Sequence, residues 1–135
     1  MGGDAVTDLV KPQPPPKEGK ARPTWPVIAE EFYRRSGETE NKASTTWLLM
    51  VRDAHARDAF GREKHGRPHQ ADNGRDHAAD AYQEALDGIC YWRAEADVAH
   101  RYGNEARATE AWTLYQDSLG LAHRARLYLL RRDGR

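Results

Sequence analysis

The sequence predicts an all-α protein, and three observations support that fold class. After residue 23, apolar residues recur at spacings of three and four in four successive segments, which is the period of an amphipathic helix. Good N-cap residues precede three of those segments. No run alternates apolar and polar residues as a half-buried strand does, and no hairpin dipeptide joins two strand-like runs. We therefore expect a compact bundle of about four helices.

The first 23 residues differ in composition from the rest of the chain. They hold five of the seven prolines and few residues that a core could bury. We expect a Pro-rich tail over 1–23, either disordered or extended, and a helical domain over 24–135. The run Pro14-Pro15-Pro16 occurs in spacers and in polyproline ligands alike; composition favours a spacer, and we assign the tail no function.

Proline, glycine and hydroxyl residues bound the first two predicted helices. A short helix is expected to start at Pro26, because proline suits a first helical turn, and to end at Ser36-Gly37. The run Ser44-Thr45-Thr46 can cap a second helix from Trp47 to about Lys64, which the His-Gly-Arg-Pro sequence at 65–68 then stops. The core candidates of this helix are Trp47, Leu48, Met50, Val51, Ala54 and Phe60.

Two longer helices are expected to follow. The third runs from Gly74 to about Arg101 with Asn73 as its N-cap, and the fourth runs from the N-cap Asn104 to about Arg132. The apolar face of the third consists of Ala78, Tyr82, Ala85, Ile89, Trp92 and Ala96. The fourth uses Ala108, Trp112, Tyr115, Leu119, Ala122, Leu127 and Leu130.

Charge and composition limit the class of function. Lysine and arginine total 21, as do aspartate and glutamate, so the overall balance calls for neither nucleic acid nor an anionic membrane as a partner. A helix-turn-helix DNA binder would need a basic recognition helix, whereas the best-defined helix here opens acidic. No apolar run has the length of a membrane span, no signal-peptide pattern is present, and the single cysteine, Cys90, fits a reducing compartment. We expect a cytoplasmic protein.

One face of the third helix is acidic. Asp76, Asp80, Glu84 and Asp87 lie four, four and three residues apart, which confines them to an arc of about 80°. Carboxylates stacked in this way repel one another unless solvent or a cation lies among them, and hard oxygen ligands suit Mg²⁺ or Mn²⁺. Periodicity alone favours a different interpretation, in which the acids are simply the solvated side of an amphipathic helix.

The order of residues around this face is more specific than amphipathicity requires. The chain reads NGRD at 73–76, DAYQEALD at 80–87 and YWR at 91–93, preceded by RDAFGREKHG at 57–66. With these motifs, residues 47–93 resemble the MazG-like all-α nucleoside triphosphate pyrophosphohydrolases, in particular a phage-encoded branch. Three features depart from that pattern: His65 replaces a tyrosine, Gly88 replaces a large aliphatic residue, and the second helix lacks the family's Glu-x-x-Glu pair.

The resemblance implies a metal-dependent hydrolase. It would cleave a nucleoside triphosphate, of the purine deoxynucleotide class, between the α and β phosphates to give the monophosphate and pyrophosphate. Glu84 and Asp87 would be the catalytic metal-binding pair, with Asp80 and Asp58 as further ligands of Mg²⁺ or Mn²⁺ and Asp53 the next candidate. We expect a homodimer or homotetramer with no nucleic-acid or membrane partner. Its location would be the cytoplasm, which for a phage-encoded protein is the cytoplasm of the host.

Four residues are candidates for substrate binding. Arg57, Lys64 and Arg75 can donate to phosphate oxygens, and Arg75 lies in the first turn of the predicted third helix, where free amides also attract anions. Each could equally be an ordinary surface charge. Asn73 could contact the base, although capping the helix is the simpler role.

Two other interpretations remain open. The acidic face could be solvated in a noncatalytic helical interaction or adaptor protein whose fourth helix docks a partner. Alternatively, His65, His69 and His77 could suggest a zinc site, but their spacings span a proline-containing loop and lack an accompanying cysteine pair, so the usual zinc patterns do not favour it.

Overall fold

A computed structural model describes residues 9–135, and over that range the chain forms four α-helices and no named strand, which confirms the all-α prediction. Helix α1 spans Thr24–Glu38, α2 Asn41–His65, α3 His77–Arg101 and α4 Glu105–Asp133. None of the four is both long and apolar enough to cross a membrane. The first eight residues of the predicted tail lie outside the described residues.

The chain divides into two compact units, each built on a pair of helices. Residues 13–75 hold α1 and α2, which pack against each other. Residues 76–135 hold α3 and α4, which also pack against each other, and residues 9–12 belong to this second unit. A two-helix unit can cover only the stripe along which its helices touch, so most of each helix surface faces outward within the unit.

In the first unit, the hydroxyl residues after α1 do not cap α2. Helix α2 begins at Asn41, and its N-cap residue makes no side-chain capping hydrogen bond, so the predicted start at Trp47 is wrong. The Ser44 hydroxyl instead donates to the carbonyl of Ser36 at 2.8 Å, satisfying a carbonyl at the end of α1 that has no intrahelical partner. Thr46 donates back to the carbonyl of Lys42 at 2.8 Å, as hydroxyl residues inside a helix commonly do.

Helix α2 ends at the His-Gly-Arg-Pro sequence, as predicted. Gly66 adopts φ 71°, a left-handed conformation that glycine takes without a steric penalty, and its amide donates to the carbonyl of Arg62 at 2.8 Å. The predicted core of this helix is largely wrong, because Ala54 is its one buried residue while Leu48 and Phe60 are exposed. The close approach of two helices selects a small side chain at the line of contact, which hydrophobicity alone does not indicate.

In the second unit, the two helix starts have opposite outcomes. Asn104 caps α4 as predicted, with its side-chain oxygen accepting from the Arg107 amide at 3.1 Å. Helix α3 starts three residues later than expected, and its N-cap is Asp76, which accepts from the Ala79 amide at 3.1 Å. The prediction that Asn73 caps α3 is therefore wrong.

The interior of the second unit is made mostly of alanine. Its buried apolar residues are Leu9, Ala79, Ala96, Ala99, Ala111, Ala122 and Leu129. Only Ala96 and Ala122 of the predicted apolar faces are among them. The larger predicted core residues Trp92, Trp112, Leu119 and Leu130 are exposed, since they flank the contact line between α3 and α4 rather than lie on it.

Residues 9–23 form no helix, and side chains from elsewhere in the same unit hold parts of this segment. In the second unit, Leu9 is buried, and the Gln83 side chain donates to the carbonyls of Leu9 and Lys11 at 2.9 and 3.1 Å. In the first unit, residues 13–21, here called the strap, lie along residues 66–75, here called the loop. Extended conformation was one of the two expectations for this segment; its hydrogen bonds were not foreseen.

Candidate functional site

The acidic face of α3 divides into a structural part and an exposed part. Asp76 belongs to the structural part, because Arg132 binds both of its carboxylate oxygens, with Nη1 to Oδ1 at 2.9 Å and Nη2 to Oδ2 at 2.7 Å. These hydrogen bonds from Arg132 are the main reason that the pKa of Asp76 is lowered to about 2. Asp76 thus caps α3 and ties its start to the end of α4.

The Asp76–Arg132 pair predicts a pH dependence of stability. Because the pKa of Asp76 is lower in the folded protein than its ordinary value of 3.8, the pair stabilises the fold fully above about pH 4 and loses that contribution as the pH falls towards 2. Asp76→Asn keeps a good N-cap but removes the charge. At neutral pH we expect it to cost only about 0.5 kcal/mol, since both side chains are more than a third exposed.

The measurement is urea denaturation of wild type and Asp76→Asn at about pH 6 and about pH 3. The difference between the two proteins should shrink at the lower pH. Asp117→Asn, on the exposed side of α4, is the control and should leave the difference from wild type near zero at both values. An Asp76→Asn deficit that grows in acid would contradict the assignment.

Glu84 and Asp87 form the exposed part of the acidic face. They lie three residues apart, less than one helical turn, and neither makes a hydrogen bond or ion pair with any residue of the described chain. Asp80, one turn earlier, is half-buried. Further along α3, by contrast, Glu95 is bound by Arg107 at 2.7 Å. The pair therefore presents two carboxylates to solvent on one side of a regular helix.

Asp58, the predicted ligand on α2, is already paired. Its carboxylate accepts from Arg62 Nε at 2.8 Å, and its side chain is only 15% exposed. Asp53, the next candidate, is exposed on the same helix. Within neither unit, over residues 9–135, do three acidic, histidine or cysteine side chains converge as a ready-made metal cage. The predicted role of Asp58 requires that it leave Arg62.

The predicted phosphate-binding cations all lie in the first unit. Arg57 places its guanidinium 5.1 Å from the centroid of the Phe60 ring, a cation–π contact on an exposed surface. Lys64 is exposed in the last turn of α2. Arg75 precedes α3, which begins at His77, so its predicted place in the first turn of that helix is wrong. Its Nη1 atom donates to the carbonyl of Pro14 at 2.7 Å. A phosphate oxygen could replace the Phe60 ring as the partner of Arg57, or the Pro14 carbonyl as the partner of Arg75 Nη1.

Asn73 is a buried turn residue. Only 1% of it is exposed, its side-chain oxygen accepts from the Arg75 amide at 3.1 Å, and its carbonyl accepts from the Lys17 amide at 2.7 Å. Gly74 follows with φ 80°, the left-handed conformation that lets the turn close. In this conformation the Asn73 side chain shapes the loop, and its predicted contact with a base stays a prediction.

Two loop residues that the sequence analysis missed fasten the strap. The Gln70 side chain accepts from the Gly19 amide at 3.1 Å and donates to the carbonyls of Gly19 and Ala21 at 3.0 and 2.8 Å. The Asp72 carboxylate accepts from the amides of Lys20 and Ala21 at 2.6 and 3.0 Å, which lowers the pKa of Asp72. No local signal reveals these contacts, because the partners lie about fifty residues away along the chain.

The histidine cluster suggested by spacing is not assembled within the first unit. His69 makes a hydrogen bond through Nδ1 to the hydroxyl of Thr24 at 2.8 Å, close to the start of α1. His65 is exposed at the end of α2. The structure thus gives His69 a role in joining the loop to α1.

Two regions are therefore candidates for a functional site: the Glu84–Asp87 pair on α3, and the strap and loop of the first unit. Comparison of the chain with protein-family models, with curated proteins and with solved structures finds no match.

Proposed function

We propose that this protein hydrolyses a nucleoside triphosphate, of the purine deoxynucleotide class, to the monophosphate and pyrophosphate with the help of Mg²⁺ or Mn²⁺. The observation that carries the proposal is the Glu84–Asp87 pair, whose two carboxylates face solvent close together on α3 and have no protein partner in the described chain. The motif resemblance around residues 73–87 supplies the reaction class.

The residues fit magnesium that arrives with its substrate. Mg²⁺ seldom occupies an all-protein cage; it is usually held by one or two carboxylates, with waters and substrate phosphates completing six positions. Glu84 and Asp87 meet that requirement, and Asp80 is one turn away on the same side of the helix. Metal affinity in the absence of nucleotide should consequently be weak.

Each group has a defined task in the proposed reaction. The metal, when bound, supplies positive charge against the triphosphate and favours ionisation of an attacking water. Glu84 and Asp87 would hold the metal at α3. Arg57, Lys64 and Arg75 stay predicted donors to phosphate oxygens, where their charge would stabilise the departing pyrophosphate.

The test is pyrophosphate release from a panel of deoxynucleoside and ribonucleoside triphosphates, each with Mg²⁺ and with Mn²⁺. The proposal expects metal-dependent release, fastest with a purine deoxynucleotide. In parallel, a nonhydrolysable triphosphate together with Mg²⁺ should raise the melting temperature more than Mg²⁺ alone, because ligand binding to the folded state stabilises it. Folded protein that releases nothing and shows no shift would contradict the proposal.

An interaction protein is the second candidate, and the surface of α4 favours it. Large apolar side chains flank the buried row of this helix on both sides and are all more than a third exposed: Leu114, Leu121 and Tyr128 on one flank, and Trp112, Leu119 and Leu130 on the other. A second copy of the chain covering these flanks would give the expected homodimer or homotetramer. Light scattering at micromolar concentration tests this association, which a monomer would contradict.

A further inference from the structure

The strap and the loop line a cavity in the first unit that is about half open to solvent. The cavity measures about 340 Å³, and its lining comes from Glu18 and Gly19 of the strap and from Gly66, Arg67, Pro68 and Gln70 of the loop. Neither Arg67 nor Glu18 is among the substrate-binding residues predicted from the sequence. The volume is sufficient for a small polar ligand such as a phosphate or pyrophosphate group.

The wall of this cavity is fixed by specific contacts. Four strap amides donate to loop acceptors: Lys17 to the Asn73 carbonyl, Gly19 to Gln70, and Lys20 and Ala21 to Asp72. A side chain on residue 19 would overlap the Asp72 carboxylate, so only glycine allows this approach. The strap is therefore a built part of the cavity rather than a tail that happens to lie nearby.

The Arg67 side chain has a buried hydrogen-bond donor without an acceptor among the described residues. Its Nε atom is buried and has no hydrogen-bond partner anywhere in the described chain. A buried guanidinium nitrogen without an acceptor is unusual in folded proteins, and a ligand in the cavity could supply the acceptor once the Arg67 side chain turns this nitrogen towards it. Arginine is also the residue whose planar donors best match phosphate oxygens.

The charge around the cavity favours an anion. The strap and the loop together contain four lysines and arginines but only two acids, in a chain whose charges balance overall. One of those acids, Asp72, is already stabilised by two backbone amides. Glu18 is thus the only opposing charge in the cavity lining, and its effect on an anion is repulsive.

From this geometry we propose that the cavity between strap and loop binds a phosphate group, with Arg67 as its principal donor. A nucleoside triphosphate, free phosphate and pyrophosphate can each supply this group, since all present the same kind of phosphate oxygen. The proposal goes beyond the proposed hydrolysis: it concerns binding in the first unit and stands whether or not the chain turns over a nucleotide.

Isothermal titration calorimetry on the full chain separates these sources and tests the residues. Inorganic phosphate, pyrophosphate and an α,β-methylene triphosphate are titrated in turn, without metal. Binding of phosphate or pyrophosphate identifies a free-anion site, and binding of the triphosphate alone identifies a nucleotide site; either supports the proposal. No binding of any of the three up to about 10 mM overturns it.

Variants of Arg67 and Glu18 should change the affinity for the anion in opposite directions, which a purely structural role would not produce. Arg67→Gln should weaken binding about tenfold or more, because it removes a charged donor, whereas Glu18→Gln should tighten binding about threefold, because it removes a repulsion. Arg52→Gln, an exposed arginine of α2 in the same unit, is the control and should bind as wild type does. Wild-type affinity in Arg67→Gln, or weaker binding in Glu18→Gln, overturns the proposal.

Breaking the strap provides an independent variant. Gly19→Ala forces residue 19 away from Asp72 and should weaken binding while leaving helix content unchanged in circular dichroism. Gly37→Ala, in α1 where an added side chain meets nothing within 4 Å, is its matched control and should bind normally. Unchanged affinity in Gly19→Ala would show that the strap is no part of the site.

Discussion

Glu84→Gln and Asp87→Asn are each expected to reduce metal-dependent pyrophosphate release by about a hundredfold or more. Each change keeps the size of the side chain but removes one of the two negative charges that hold the cation. Metal stabilisation of a phosphoryl transition state amounts to several kcal/mol, and each 1.4 kcal/mol or so corresponds to about a tenfold change in rate. Both side chains are exposed and unpaired in the described chain, so neither change should lower the melting temperature.

Two acids on α4 provide matched controls for this experiment. Glu110 and Asp117 are exposed and, like the α3 pair, make no hydrogen bond or ion pair with the described residues. Glu110→Gln and Asp117→Asn change the net charge by the same amount and should retain wild-type release. If all four variants retained release, the catalysis would lie elsewhere; if all four lost it equally, a general effect of net charge would be indicated.

The calorimetric and kinetic experiments also separate the two parts of the proposed chemistry. A protein whose release depends on Glu84 but whose anion binding depends on Arg67 has a metal-binding pair and a distinct phosphate contact. A protein that binds pyrophosphate through Arg67 and releases none from any triphosphate is a phosphate-binding helical protein. The two outcomes are distinguishable because the Glu84 and Arg67 variants alter different groups and are measured by different signals.

Much of the fold could be predicted from local sequence. The period of apolar residues identified four helices, and short-range backbone chemistry fixed some of their ends: Gly66 terminates α2 in a left-handed conformation, and Asn104 caps α4. These features depend on residues within one turn of each other. A single sequence contains all the information that they require.

Features that depend on competition between neighbours were less predictable. Asn73 and Asp76 are both good N-cap residues, and the choice of Asp76 follows from Arg132, which lies at the far end of the next helix. Ser44 likewise serves a carbonyl of α1 rather than the start of α2. A capping preference of about 1 kcal/mol is small enough for one tertiary hydrogen bond to redirect it.

The candidate functional site could likewise be predicted only in part. The acidic face of α3 could be predicted because helical geometry alone places Asp80, Glu84 and Asp87 on one side. Which of its acids remain available could not, since that depends on where arginines from α4 reach. The strap contacts through Gln70 and Asp72 were beyond sequence reasoning for a similar reason: a proline-rich segment indicates extended backbone but says nothing of the side chains that hydrogen-bond to it.

Leu129→Ala is expected to cause the largest loss of stability, about 3 kcal/mol. Leu129 is 0% exposed, and its buried apolar neighbours in the second unit are almost all alanines, which cannot rearrange to fill the space that a leucine leaves. Total stabilities of small domains are about 5–15 kcal/mol, so this loss should shift a urea midpoint strongly.

The adjacent residue supplies the control for that prediction, because it has the same chemistry and a different environment. Leu130 is 49% exposed, so Leu130→Ala should cost less than about 1 kcal/mol. Urea denaturation followed by helical circular dichroism measures both. Equal losses would mean that Leu130 is also covered in solution, which is what association through the α4 flank would produce. In that case the loss in Leu130→Ala should depend on protein concentration, whereas the loss in Leu129→Ala arises within the α3–α4 pair.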